Sequence, residues 1–223
     1  MLLHILFIFL LLLSNLSLSE NLNHENQSTH HILIVGDSLS AEYGIETGKG
    51  WINLLNNRLQ KQNTSSKWTI VNASISGDTT AGGVERLPKL IQNYQPTLCI
   101  IALGANDGLR GLPINDMQNN LDEMVKQCKA SGTSLLVGMH LPPNYGKAYA
   151  NAFHQIYENV AEINDIDYVP FMLDGIATDD RFFQSDRLHP TAEAQPIILE
   201  NIWTKLETIL MNLWYLPSKY NSI

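Results

Sequence analysis

From residue 31 onward, short continuously apolar runs alternate with segments of helical spacing, and this alternation limits the chain to very few architectures. The apolar runs cover 31–35, 68–71, 98–103, 135–139 and, more weakly, Tyr168 and Val169 with Phe171. Between and after them, the spacing predicts helices over 51–60, 84–94, 117–129, 149–163 and 197–213. In the last of these, Ile198, Ile202, Leu206 and Ile209 fall on one face. Strands with no polar alternation belong in a sheet covered on both faces. Strict strand–helix alternation makes the strands parallel, with the helices as crossovers. The expected fold is therefore α/β, a three-layer α/β/α sandwich around a central five-stranded parallel sheet.

In such sheets, ligands bind outside the carboxyl ends of the strands. The sequence has the polar residues there that this rule requires. Asp37 and Ser38 follow the first run, and Gly77 and Asp78 follow the second. Asn106 and Asp107 follow the third, and Asp186 and His189 follow the fifth. A hydroxyl becomes a useful nucleophile only when a base takes its proton. That base is usually an imidazole held in one tautomer by a carboxylate. Asp186-Arg187-Leu188-His189 offers both groups on one short loop, and Ser38 is the serine best placed to meet them.

Each piece has a plainer reading when taken alone. Ser38 could cap a helix, and an Asp-x-x-His is often a surface turn. The G-x-S-x-G elbow of other hydrolases is absent, because Gly36-Asp37-Ser38-Leu39-Ser40 lacks the second glycine. Asp37 and Asp78 read as loop-holding carboxylates that accept backbone N–H bonds. Asp107 reads as orienting Asn106 or its loop. His140 and His154 read as surface or packing residues, and Trp51 and Trp68 as core.

The segment before residue 31 differs in kind. Residues 2–13 are almost unbroken apolar sequence, followed by small residues up to Ser19. This pattern predicts a signal peptide over 1–19, a polar leader over 20–30 and one domain over 31–215, placed in the periplasm or secreted. No Lys or Arg precedes the apolar run, and an uncleaved anchor would leave the domain on the same side of the membrane. The net charge of −8 and the lack of a basic stripe exclude nucleic acid as an expected partner. Cys99 and Cys128 read as unpaired thiols in apolar sites, and no Cys/His cluster has metal-ligand spacing. No protein partner is evident.

Four blocks resemble those of the SGNH, or GDSL, hydrolases. The first is Ile34-Val35-Gly36-Asp37-Ser38-Leu39-Ser40. The second, Asn72 to Thr80, contains Gly77. Gly104-Ala105-Asn106-Asp107 is similar to the third, and Asp186-Arg187-Leu188-His189-Pro190 to the fifth. The order and spacing also match, over nearly the whole chain from His31 to about Leu210. Asn106 to Gly111 and Leu141 to Gly146 look like the thioesterase and lysophospholipase subgroup. Ala105 and Arg187 stand where a glycine is frequent in relatives.

The resemblance implies a flavodoxin-like sheet and a serine esterase or thioesterase that needs no metal or cofactor. It implies Ser38 as nucleophile, His189 as base and then acid, and Asp186 as orienting carboxylate. The N–H groups of Ser38 and Gly77 and the amide of Asn106 would form the oxyanion hole. Leu39, Asn144 and Tyr145 would bind substrate, with the loop at 144–146 covering the acyl chain. The implied substrates are acyl thioesters, short- to medium-chain esters and lysophospholipids. Two alternatives stay open: a carbohydrate O-acetylesterase, and a non-catalytic binding protein on the same fold. All five of Ser38, Gly77, Asn106, Asp186 and His189 are present, which weighs against the second.

Overall fold

A computed structural model describes residues 29–62 and 67–215. The expected signal peptide lies outside the described residues, as does the expected leader up to residue 28. Five strands form one parallel sheet: β1 (Thr29–Gly36), β2 (Lys67–Asn72), β3 (Leu98–Ala102), β4 (Thr133–Val137) and β5 (Asp167–Val169). The order is β2-β1-β3-β4-β5. Ile34 sits opposite Ile100 and Leu33 opposite Val71, so apolar runs lie beside apolar runs.

Among the described residues, six α-helices accompany the sheet: α1 (Trp51–Lys61), α2 (Thr80–Tyr94), α3 (Ala105–Leu109), α4 (Ile114–Ser131), α5 (Lys147–Asn164) and α6 (Gln195–Tyr215). Helix α1 packs with α6, whereas α2 packs with α4 and α4 with α5. This division follows from strand order and handedness. The chain steps from β1 outward to β2, then back past β1 to β3 and onward. Right-handed crossovers in opposite directions must cover opposite faces. The reversal leaves a crevice at the carboxyl ends of β1 and β3. Ile32, Leu33, Ile34, Val35, Ile100, Ile101, Leu135 and Leu136 are fully buried between the layers. Trp51 and Trp68 are buried as expected, and Cys99 and Cys128 are buried and unpaired.

The structure departs from the sequence expectations where long-range partners act. Thr29 and His30 are not leader but the start of β1. They pair with Lys67 and Trp68, and the His30 ring stacks on Trp68 at 4.9 Å. Helix α2 starts at Thr80, four residues before its apolar periodicity does. The buried carboxylate of Asp107 accepts the Thr80 N–H at 2.9 Å and the Thr80 hydroxyl at 2.6 Å. A carboxylate at a helix N-terminus satisfies free donors and complements the helix dipole. Asp107 thus holds α2 to α3, the helix that carries Asn106. Strand β3 ends at Ala102, and the carbonyl of Leu103 accepts the Tyr157 hydroxyl at 3.0 Å. Met139 and Phe171 fall beyond β4 and β5 and line a cavity instead.

Candidate active site

The site begins where β1 ends. The carbonyl of Asp37 accepts the N–H groups of Ser40 and Ala41 at 3.1 and 2.9 Å, which turns the chain sharply at Ser38. One side-chain oxygen of Asp37 accepts the Leu39 N–H at 3.0 Å. Asp37 is buried, and this desolvation pushes its carboxyl up to about 6, although the Leu39 N–H and the charge of His189 pull it down. Asp37 therefore supports the turn, as its sequence position suggested, while carrying a costly buried charge.

The imidazole arrives from a loop far along the chain. The loop closes on itself through an antiparallel bridge between Phe183 and Pro190 and a bond from Thr191 N–H to the Phe182 carbonyl at 2.8 Å. At its tip, Asp186 Oδ1 accepts the N–H groups of Leu188 and His189 at 2.9 and 3.0 Å. Asp186 Oδ2 lies 2.7 Å from His189 Nδ1. The contact with His189 and the Leu188 N–H hold the Asp186 carboxyl down at about 2. An ionised carboxylate can only accept, so Nδ1 carries the proton and Nε2 presents its lone pair. His189 Nε2 lies 3.0 Å from Ser38 Oγ. Arg187 sits between these residues with φ +56°, a left-handed conformation that costs a side-chain-bearing residue and suits glycine.

The second and third loops follow β2 and β3. Gly77 has φ +80°, and its carbonyl accepts Arg110 Nη2 at 2.7 Å. The backbone N–H groups of Ser38 and Gly77 make no hydrogen bond among the described residues. Asn106 Nδ2 donates to the Asp78 carbonyl at 2.9 Å and, at a longer 3.3 Å, to Asp37 Oδ2. Its amide is therefore held in place from two directions.

Beside these groups lies a cavity of about 460 Å³, with Ser38, Asn106 and His189 in its wall. Its apolar lining includes Leu39, Leu109, Leu141, Phe171, Leu173 and Phe183. Asn144 and Tyr145 do not line it. The Tyr145 hydroxyl donates to the Leu109 carbonyl at 3.0 Å, so this side chain braces the end of α3. His140 does line the cavity, between the rings of Phe171 at 4.3 Å and His154 at 3.8 Å. Leu173, Ala177, Thr178 and Phe183 also form part of the wall and fall in no periodic run or motif of the sequence. Their side chains point by irregular turns, which have no period to read. Leu188 was findable as the neighbour of His189.

A hydroxyl, an imidazole and a carboxylate in one hydrogen-bonded line, at the carboxyl edge of a doubly covered parallel sheet, are the constellation of a serine hydrolase. The comparisons narrow the class. The profile of the GDSL-like lipase/acylhydrolase family matches residues 34–196, and the chain belongs to that family. It is an ester-hydrolysing enzyme. It is 45% identical to esterase TesA of Pseudomonas aeruginosa over 180 residues, spanning 80% of this chain and 89% of that one. It is 36% identical to thioesterase 1/protease 1/lysophospholipase L1 of Escherichia coli (strain K12) over 208 residues, 93% of each chain. Among solved structures it is similar to a crystal structure of TesA, with TM-score 0.78 and 44% identity, covering 81% of this chain and 99% of that chain.

Proposed function

We propose that this protein is an exported serine esterase and thioesterase that works through an acyl-enzyme on Ser38. The observation that carries the reading is the 3.0 Å approach of Ser38 Oγ to His189 Nε2 on the wall of an apolar cavity. Ser38 Oγ attacks the acyl carbonyl carbon, and its proton passes to His189 Nε2. Asp186 stabilises the imidazolium and keeps the ring oriented. The developing oxyanion accepts hydrogen bonds from the N–H groups of Ser38 and Gly77 and from the Asn106 amide. The long contact of Asn106 to Asp37 is the one that a substrate oxygen displaces. The tetrahedral centre then collapses, and the thiolate or alkoxide leaves with the proton from Nε2. Water enters, gives a proton to Nε2 and attacks the acyl carbon. The acid departs as Ser38 recovers its hydrogen.

The substrates are acyl thioesters, short- to medium-chain esters and lysophospholipids. A cavity of about 460 Å³ walled by Leu, Phe and Met side chains suits a chain of several methylenes. An acetyl group would leave most of it unfilled, which counts against a carbohydrate deacetylase. Export rests on the apolar segment of residues 2–13 and the small residues that follow it. The test is Ser38→Ala assayed on p-nitrophenyl esters of graded length. Hydrolysis should vanish while circular dichroism and melting temperature stay unchanged. Undiminished turnover would remove Ser38 from this role.

A further inference from the structure

Ser38 and His189 lie 151 positions apart, on two irregular loops that no strand pairing joins directly. Their alignment needs something to hold one loop against the other, and one side-chain amide bridges them. Gln184 stands at the base of the histidine loop, where its backbone N–H donates to the His189 carbonyl at 2.8 Å. Its side-chain Nε2 donates to the Pro190 carbonyl at 3.1 Å and, across to the serine turn, to the Tyr43 carbonyl at 2.8 Å. Among the described residues, this is the one hydrogen bond between 37–44 and 183–190 apart from the Ser38–His189 contact itself.

Two further observations meet at the same place. Gly44 follows Tyr43 with φ +72°, and a Cβ there would come within 2.0 Å of Gln184 Oε1. The serine turn leaves room for this amide because residue 44 has no side chain. The Tyr43 ring packs against the His189 ring, with centroids 4.3 Å apart and planes tilted by 40°.

We propose that Gln184 is a positioning residue that clamps the serine turn to the histidine loop and sets the Ser38–His189 distance, with Gly44 as the socket that admits it. The proposal rests on the reading of Ser38 and His189 given above. The clamp acts on alignment and leaves the acyl cavity alone, so it governs kcat and spares KM. Misplacement of reacting groups by about 1 Å costs on the order of 10²-fold in rate.

The experiment measures kcat and KM on a p-nitrophenyl ester, per folded molecule, for Gln184→Met, Gly44→Ala, their double variant and Ser38→Ala. Gln184→Met keeps the length and loses both donors. We expect its kcat to fall roughly 10- to 100-fold with KM nearly unchanged. Gly44→Ala should act by displacing the same amide, so the double variant should be no worse than the poorer single, a non-additivity that independent defects do not show. A second variant, Gln184→Glu, places a carboxylate before two carbonyls and regains one donor when protonated. Its kcat relative to the unmodified enzyme should therefore rise on acidification, read well below both melting temperatures. If Gln184→Met retains full kcat, if the losses add, or if the Gln184→Glu ratio is flat with pH, the clamp is overturned while an inactive Ser38→Ala leaves the mechanism standing. An active Ser38→Ala would overturn both.

Discussion

Asp186 grips His189 at two points: one carboxylate oxygen accepts the residue's own backbone N–H at 3.0 Å, and the other faces its ring Nδ1 at 2.7 Å. A three-residue spacing lets one carboxylate fix both the backbone and the tautomer of the same histidine. Orientation and electrostatics of the imidazole are thus set by a local turn, although its target comes from the far end of the domain.

Asp186→Asn tests this grip. An amide can keep one backbone contact but can present its NH₂ to Nδ1, which favours the tautomer that protonates Nε2. We expect kcat to fall on the order of 10³- to 10⁴-fold with the fold retained. Steady-state kinetics beside circular dichroism measure it, and a loss under tenfold would show that the carboxylate is dispensable.

Asn106→Ala removes the side-chain donor proposed for the oxyanion. The expected loss is roughly 10²- to 10³-fold in kcat, with a much smaller change in KM. The variant also frees the Asp78 carbonyl and Asp37, so a modest drop in melting temperature should accompany it. A rise in KM alone would mean that Asn106 binds ground state and transition state equally.

Asp37 gives a signed pH effect on stability. Its folded carboxyl titrates near 6 because burial disfavours the charge, against an ordinary value of 3.8. The folded state holds this proton more tightly, so ionising Asp37 costs stability as pH rises through the window between these values. The span corresponds to about 3 kcal/mol at most. The melting temperature of Asp37→Asn relative to the unmodified protein should therefore climb between pH 4 and 6 and level off above. A gap independent of pH would show that Asp37 is not held in this way.

Of the residues in 171–183 that line the cavity, Ala177 has the smallest side chain. Ala177→Trp should shorten the acyl chain that fits. Each methylene denied its apolar contact costs about 0.8 kcal/mol, or about fourfold in kcat/KM. Decanoyl esters should lose far more than butyryl esters, and p-nitrophenyl esters of both lengths measure the ratio. An unchanged ratio would place the acyl chain elsewhere.

The fold was legible because periodicity reports burial. Runs such as Ile32 to Val35 and Leu98 to Ile101 are apolar at every position, and only a sheet covered on both faces buries every position. Crossover handedness then dictates which helices share a face. The five candidate site positions were legible because each follows a strand or sits in a recognisable block. Element ends were less so: Thr29 and His30 joined β1, and Thr80 opened α2, through partners at Lys67, Trp68 and Asp107.

The sequence by itself determined the layered sheet and the residues gathered at its carboxyl edge, since chain order and apolar period are local properties. Only the tertiary structure decided that Asn106 is held by Asp37 and Asp78, that the Tyr145 hydroxyl is tied to the Leu109 carbonyl, and that Gln184 reaches Tyr43. These are single contacts between segments remote in the chain. A lone hydrogen bond across some 140 positions leaves no period, composition or motif behind, so it becomes visible only when the loops are set in space.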